Sequence, residues 1–275
     1  MKANDLIQDV ESKLHQLAKQ TEKAKSSKVI LDYLQFISQF HSYSFHNVLS
    51  IYTHCPKASH VAGFSTWKKL GRFVRKGEKG IPILAPCTQK VTQEDKNGNE
   101  EQIKRIMFFK IVYVFDISQT EGKAIPEAPI TATGSDAGLL SILEQITANH
   151  NIKLEYKSLL GSHHGTSYGG RIEVNSSLDP AGKSSVVIHE LAHELLHRGD
   201  DRHSLSRQQK ELEAEATAHV VCSHFKLTTA SANYLALWEI PSEEITGAFQ
   251  RIHKVAVQLI NEADVLVNQS DDVVC

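Results

Sequence analysis

Residues 189–197 read HELAHELLH. On a helix, positions four apart lie one turn from each other on the same face, so the imidazoles of His189 and His193 can grip one metal ion. Glu190 then points toward the open position of that ion, where it can serve as general base on water. Apolar neighbours such as Val187, Ile188, Leu191 and Leu195 mark the helix as buried. Two histidines and a glutamate in such a helix need a reason, because unpaired polar groups are costly there. The blander alternative is a helix whose histidines merely hydrogen-bond within the core.

A catalytic zinc needs a third protein ligand and keeps one position open. Position 196 is Leu and the next histidine is His197, which disfavours the HExxHxxGxxH scheme with a third His. A carboxylate from a following helix is the alternative, and residues 211–219, ELEAEATAH, supply one. Glu211 and Glu215 share a face at i, i+4, while Glu213 points elsewhere. Ala214, Ala216 and Ala218 permit close helix–helix approach. The expected third ligand is Glu215, with Glu211 as an outer partner of a ligand imidazole and His219 in a similar outer role. Zinc is the expected ion and manganese the other candidate. Upstream, TSYGGRIEVN (166–175) is expected to hold an edge strand, RIEV, able to bind an extended substrate by strand addition. Tyr168 is expected to pack rather than to stabilise an oxyanion, and His163 and His164 to be loop residues.

Several elements must hold these groups in place. Apolar spacing predicts helices over 3–25, 28–40 and 43–54, then a short apolar run, IPILAP, and a strand in 103–115 preceded by Asn97-Gly98 as a hairpin turn. Residues 136–149 read as a helix, 152–156 and 168–174 as strands, and about 181–198, 206–225 and 241–268 as helices. The Pro-, Ala- and Thr-rich stretch 126–135 reads as a linker between a first domain, 1–125, and a second, 136–275. The expected fold class is α+β in two domains, the second mostly helical with a small sheet.

Charge divides in the same way. Residues 1–130 hold 19 Lys/Arg against 13 Asp/Glu, whereas the remainder holds 11 against 19. Opposite signs imply modules with different partners, the positive one suited to anions. Eight basic residues lie between Lys57 and Lys90, among them Lys68, Lys69, Arg72, Arg75, Lys76 and Lys79, opposed only by Glu78. Phe64, Trp67 and Phe73 are interleaved with them. Cations that track phosphates and rings that stack on bases are what single-stranded nucleic acid requires. No apolar run is long enough to span a bilayer, the first residues lack a secretory core, and four scattered cysteines show no CxxC. A cytoplasmic protein with no membrane partner is expected.

Two groups of residues together carry a resemblance to a known family. SYSFHNVLSIY, then GFSTWKKLGRFVRKGEKGIPILAP, then VFDISQTEG resemble the single-stranded-DNA-binding domain of the ArdC family of plasmid antirestriction proteins. HELAH followed by EAEATAHVVC resembles that family's zincin-like metallopeptidase domain, which is similar to the ImmA/IrrE peptidases. The resemblance implies roles for His189, Glu190, His193 and Glu215 in the peptidase motif, and for Asn47, Trp67, Arg72, Lys76 and Lys79 in the DNA-binding segment. It also implies a mobile-element setting, single-stranded DNA and a protein or peptide as partners, and metal-dependent peptide hydrolysis. Two other functions compete with it. One is a non-proteolytic DNA-shielding protein whose metal is structural, and the other is a repressor-cleaving peptidase guided by its basic segment.

Overall fold

The computed structural model describes residues 2–24, 28–94, 100–124, 136–159, 164–198, 205–227 and 245–271. The fold is α+β, in two compact units: Met1–Leu14 with His46–Pro126, and His15–Phe45 with Glu127–Cys275. Residues 15–45, expected in the first domain, group with the C-terminal unit. The linker at 126–135 and the Asn97-Gly98 turn lie outside the described residues.

In the first unit, helix α3 (Phe45–His54) packs through Val48, Leu49 and Ile51. A long hairpin of β3 (Ile81–Glu94) and β4 (Glu100–Asp116) joins β1 (Val61–Gly63) in an antiparallel sheet, order β1–β4–β3. Strand β3 is an edge and carries Pro82 and Pro86, which is where residues lacking an N–H are tolerated. Helix α3 caps that edge. The Asn47 amide donates to the Leu84 carbonyl at 2.9 Å and accepts from the Leu84 N–H at 2.7 Å, and the Ser50 hydroxyl donates to the Pro82 carbonyl at 2.6 Å. Asn47 thus satisfies one backbone position as a neighbouring strand would. A short helix α4 (Phe64–Lys69) leads into β2 (Arg72–Val74), which pairs with β5 (Thr120–Gly122). Helix α4 was not foreseen, because six residues are too few for an apolar period to emerge.

The C-terminal unit contains α2 (Lys28–Gln39), α5 (Asp136–Asn149), β6 (Lys153–Lys157), β7 (Gly165–Ser167) and β8 (Arg171–Asn175). Three further helices follow: α6 (Pro180–Leu196), α7 (Arg207–His224) and α8 (Ile245–Asp271). Each start near the site is specified locally. Asp179 caps α6 by accepting from the Gly182 N–H, with Pro180 in the first turn, and Ser206 and Gln209 close a capping box on α7. Ala214, Ala216 and Ala218 are buried, and α7 packs against α6, α8 and α2. The sheet order is β6–β8–β7, with β6 parallel and β7 antiparallel to β8. RIEV, expected at the edge, is therefore the central strand. Ile172–Asn175 are all buried, as a middle position demands, and β7 is the edge beside α6.

Candidate functional site

His189, Glu190 and His193 lie on α6 and face a cleft of about 850 Å³. The His189 and His193 Nε2 atoms are 3.1 Å apart. Glu211 of α7 completes the group, its Oε2 lying 3.4 Å from His193 Nε2 and 3.7 Å from His189 Nε2. Tetrahedral metal bonds of about 2.0–2.2 Å separate neighbouring donors by about 3.3–3.6 Å. The three donors therefore fit a divalent ion with little adjustment.

Glu215 occupies a different place. Its Oε2 lies 3.0 Å from His189 Nδ1, on the side of the ring away from Nε2, where it accepts the Nδ1 proton. In this geometry Glu211, rather than the expected Glu215, stands beside both Nε2 atoms. Both share a face of α7, and only the register of the helix hairpin decides which one reaches both imidazoles. His193 meets Glu211, and His189 has Glu215 behind it, as in a chain that runs back on itself. His219 lies one turn further on. Burial lowers its pKa, the Glu215 charge partly offsets this, and among the described residues it is not part of the cleft lining.

A second chain of contacts supports His193. Its Nδ1 lies 3.3 Å from His197 Nδ1, His197 Nε2 lies 3.4 Å from Glu213 Oε2, and Arg251 of α8 pairs with Glu213. His197 and Glu213 are buried. Glu213 does point away from the ion-facing side, but into this chain rather than to solvent. Its carboxyl resists the upward pull of burial and lies below the usual range because His197 and Arg251 hydrogen-bond to it.

Glu194 is a residue that sequence reasoning passed over. It is buried and accepts three hydrogen bonds, from the Ser167 hydroxyl at 2.6 Å, the Gly169 N–H at 2.7 Å and the Gly170 N–H at 2.6 Å. Gly169 and Gly170 have φ of 80° and 100°, values that a residue with a Cβ rarely adopts. The turn after β7 is thereby tied to the metal helix. A buried glutamate repeating the His-Glu pair four residues on was the available signal. Gly165 closes the same junction: a Cβ there would lie 2.4 Å from Val186 Cγ1 and 2.9 Å from Glu190 Oε1.

Charge is distributed unevenly in the cleft. Burial is the main force raising Glu190 to about 7, with Glu211 adding to it and His189 opposing it. Burial works against protonation of His189, but the Glu211 and Glu215 carboxylates outweigh it and raise that ring to about 10. His193 is lowered, chiefly by burial, and hydrogen bonds from both histidines hold Glu211 well below the usual carboxylate range. His164 lines the cleft, while the Tyr168 hydroxyl donates to Glu173 at 3.2 Å with the Arg171 guanidinium over its ring. His163 lies outside the described residues.

The basic segment divides into two sets. Trp67 is 2% exposed and its Nε1 donates to the Phe115 carbonyl at 2.8 Å, so its ring cannot stack on a base. Asn47 is committed to Leu84. Arg72 binds the Thr120 hydroxyl and the carbonyls of Thr120 and Lys123, and Arg75 pairs with Glu78 and the Ser118 carbonyl. Trp67 and Asn47 are thus buried in contacts within the fold, whereas Arg72 is part-buried and Arg75 stays exposed beside its partners. Lys68, Lys69, Lys76 and Lys79 are exposed, and so are Phe64 at 56% and Phe73 at 53%. Phe108, Phe109 and Tyr113 of β4 add exposed rings that had been read only as strand formers.

Fold and cleft together define a two-unit α+β protein with a peptidase-like second unit. Residues 2–115 match the N-terminal domain of anti-restriction factor ArdC, and residues 148–249 match the IrrE N-terminal-like domain of the M78 peptidase family. The two matches lie in that order along the chain, an ArdC N-terminal-like segment followed by an M78 peptidase-like segment. An uncharacterized protein of Bacillus anthracis is 27% identical over 294 residues, covering 90% of this chain and 50% of that one. The chain therefore spans about half the length of that curated relative. Two crystal structures of the antirestriction ArdC protein from plasmid R388, metal-free and Mn(II)-bound, are 23% and 22% identical. Each covers 80% of this chain, and they align over 85% and 84% of their own length with TM-scores of 0.49 and 0.48. Among the described residues no helix is long and apolar enough to cross a membrane.

Proposed function

We propose that the chain is a single-stranded-DNA-binding protein whose second unit is a divalent-metal-dependent peptidase, serving an antirestriction or mobile-element role. The observation that carries the enzymatic part is the convergence of two Nε2 atoms and Glu211 Oε2 at metal-ligand spacing, with Glu190 in the same cleft. His189, His193 and Glu211 would hold the ion, zinc or manganese. When bound, the ion supplies Lewis-acid polarisation of a peptide carbonyl and makes water more acidic. Glu190 takes the proton from water at its carboxylate and returns it to the leaving amine. Glu215 orients His189, and the His197–Glu213–Arg251 chain orients His193. Strand β7, at the sheet edge next to Glu190, is where an extended substrate would add by backbone pairing.

Exposed lysines and rings of the first unit would hold the DNA, with Lys68, Lys69, Lys76 and Lys79 on phosphates and Phe64 and Phe73 on bases.

The decisive test is Glu190→Gln, assayed for metal content and for cleavage of a peptide library. The expected result is unchanged metal stoichiometry with peptide hydrolysis reduced about 10²–10⁴-fold. Antirestriction activity that survives this change intact would favour a structural metal and DNA shielding instead.

A further inference from the structure

A second cluster of donors lies in the C-terminal unit, on residues the peptidase cleft does not use. His41 follows α2, His224 ends α7 and Asp264 belongs to α8. One ligand atom from each lies within 4.8 Å of the others. The rings meet edge to face with centroids 4.7 Å apart. His41 Nε2 is 4.0 Å from Asp264 Oδ2, and His224 Nε2 is 3.7 Å from Asp264 Oδ1.

A shared backbone atom sets the chemistry of this cluster. The Ser38 carbonyl lies 3.3 Å from His41 Nδ1 and 3.3 Å from His224 Nδ1. A carbonyl oxygen can only accept, so both rings carry a proton on Nδ1. In the neutral imidazole this leaves the lone pair on Nε2, the atom that faces Asp264. An outer hydrogen bond that fixes the tautomer and aims the other nitrogen is the arrangement found around metal-ligating histidines. Nor is the carboxylate consumed locally, since 3.7 and 4.0 Å both exceed hydrogen-bond length. Each carboxylate oxygen faces a different ring. Inward adjustment of well under 1 Å per side chain would bring the donors to the separations that a tetrahedral ion needs.

We propose that His41, His224 and Asp264 form a second metal site, selective for a transition-metal dication such as zinc or cobalt. Two imidazole nitrogens and one carboxylate suit these ions, whereas calcium and magnesium favour all-oxygen sets. The three side chains are partly exposed, at 21%, 22% and 43%, so an ion can reach them. The residues come from three segments far apart in the chain. An ion among them therefore acts as a cross-link, binding the end of α2 to α7 and α8 in the folded state only. Helix α7 carries both sites: His224 lies nine residues beyond Glu215, about 13 Å along the axis.

The test uses the full chain, stripped with a chelator and dialysed, in a His189→Ala/His193→Ala background that removes the first site. Zinc titration with elemental analysis is expected to give one ion per chain, and cobalt a visible ligand-field spectrum. Adding Asp264→Asn, or separately His224→Gln, is expected to abolish the bound ion and the spectrum. Circular dichroism shows whether each variant is folded, and the partly exposed Asp264→Asn changes no volume. Metal should also raise the melting temperature of the background variant but not of its Asp264→Asn derivative. The proposal is overturned by a folded background variant that binds no zinc, or by binding that survives both added substitutions. Failure of the peptidase reading looks different: the wild type would then keep its one ion after His189→Ala/His193→Ala and lose it with Asp264→Asn.

Discussion

The cleft on α6 and α7 and the basic face around α4 and β2 use similar residue types in opposite ways. In the cleft, polar side chains are interlocked, with Glu215 behind His189, and buried His197 and Glu213, joined to Arg251, behind His193. Each polar group there has its position set by a neighbour. On the basic face, Trp67 and Asn47 are buried in contacts within the fold, while lysines and aromatic rings stand exposed. A rigid, low-dielectric site suits chemistry at fixed distances. A yielding, solvated surface suits a polymer with many equivalent phosphates and flat bases.

The largest effect separating the two glutamates of α7 should appear in metal binding. Glu211→Ala is expected to eliminate the ion at His189 and His193, while Glu215→Ala should weaken it only about 10–100-fold, as for an outer partner. Equilibrium dialysis of both variants measures this, and equal losses would erase the distinction drawn from the Nδ1 contact.

On the basic face, Trp67→Ala should cost about 3–5 kcal/mol of stability through cavity formation, read from urea unfolding. Phe73→Ala should leave stability nearly unchanged and weaken single-stranded DNA binding by about 1–3 kcal/mol. A Phe73 variant that unfolds, or a stable Trp67 variant that loses DNA, would merge the two sets of residues again.

Asp116 offers a pH-dependent contrast. It is buried, and although burial opposes ionisation, hydrogen bonds from Ser118, Ser59 and His60 outweigh it and depress its pKa. A carboxyl with a folded-state pKa below its unfolded value stabilises the fold above the unfolded pKa, and that contribution fades as pH falls through the folded one. Asp116→Asn is therefore expected to cost about 1–3 kcal/mol at pH 7. The deficit should shrink below about pH 4. Urea midpoints at both pH values check the trend.

The smallest effect is electrostatic. Replacing Lys69 or Lys76 by Gln should weaken DNA binding uniformly across sequences and lower the slope of log affinity against log salt by about 1 each. An unchanged slope would remove that lysine from the phosphate-binding set.

What could be read from the residues follows from how far their geometry is local. His189, Glu190 and His193 share one helix, and helical periodicity fixes their relation before any packing occurs. The expected helices at about 181–198 and 206–225 lie close to α6 and α7, whose starts are specified locally by Asp179-Pro180 and Ser206…Gln209. Choosing between Glu211 and Glu215 needed the register of two helices, which depends on interhelical packing and has no local signature. The basic segment failed differently. Composition singled out Trp67 and Arg72, and the resemblance Asn47, but which way each points depends on β4, β5 and β3, strands reached through pairings distant in sequence. Residues 15–45 pack with the C-terminal unit although they lie within the matched N-terminal segment, and amphipathic spacing reveals a helix's apolar face but not its partner. The cluster at His41, His224 and Asp264 spans over two hundred residues and was invisible for that reason.

The three hydrogen bonds accepted by Glu194 have a consequence for selectivity. One side chain of the helix bearing Glu190 also grips the turn that ends β7, so strand and Glu190 are spaced by the protein's own framework. A peptide laid along that strand would be gauged by its main chain, and the bond presented to Glu190 would depend on alignment along the edge more than on any side-chain pocket.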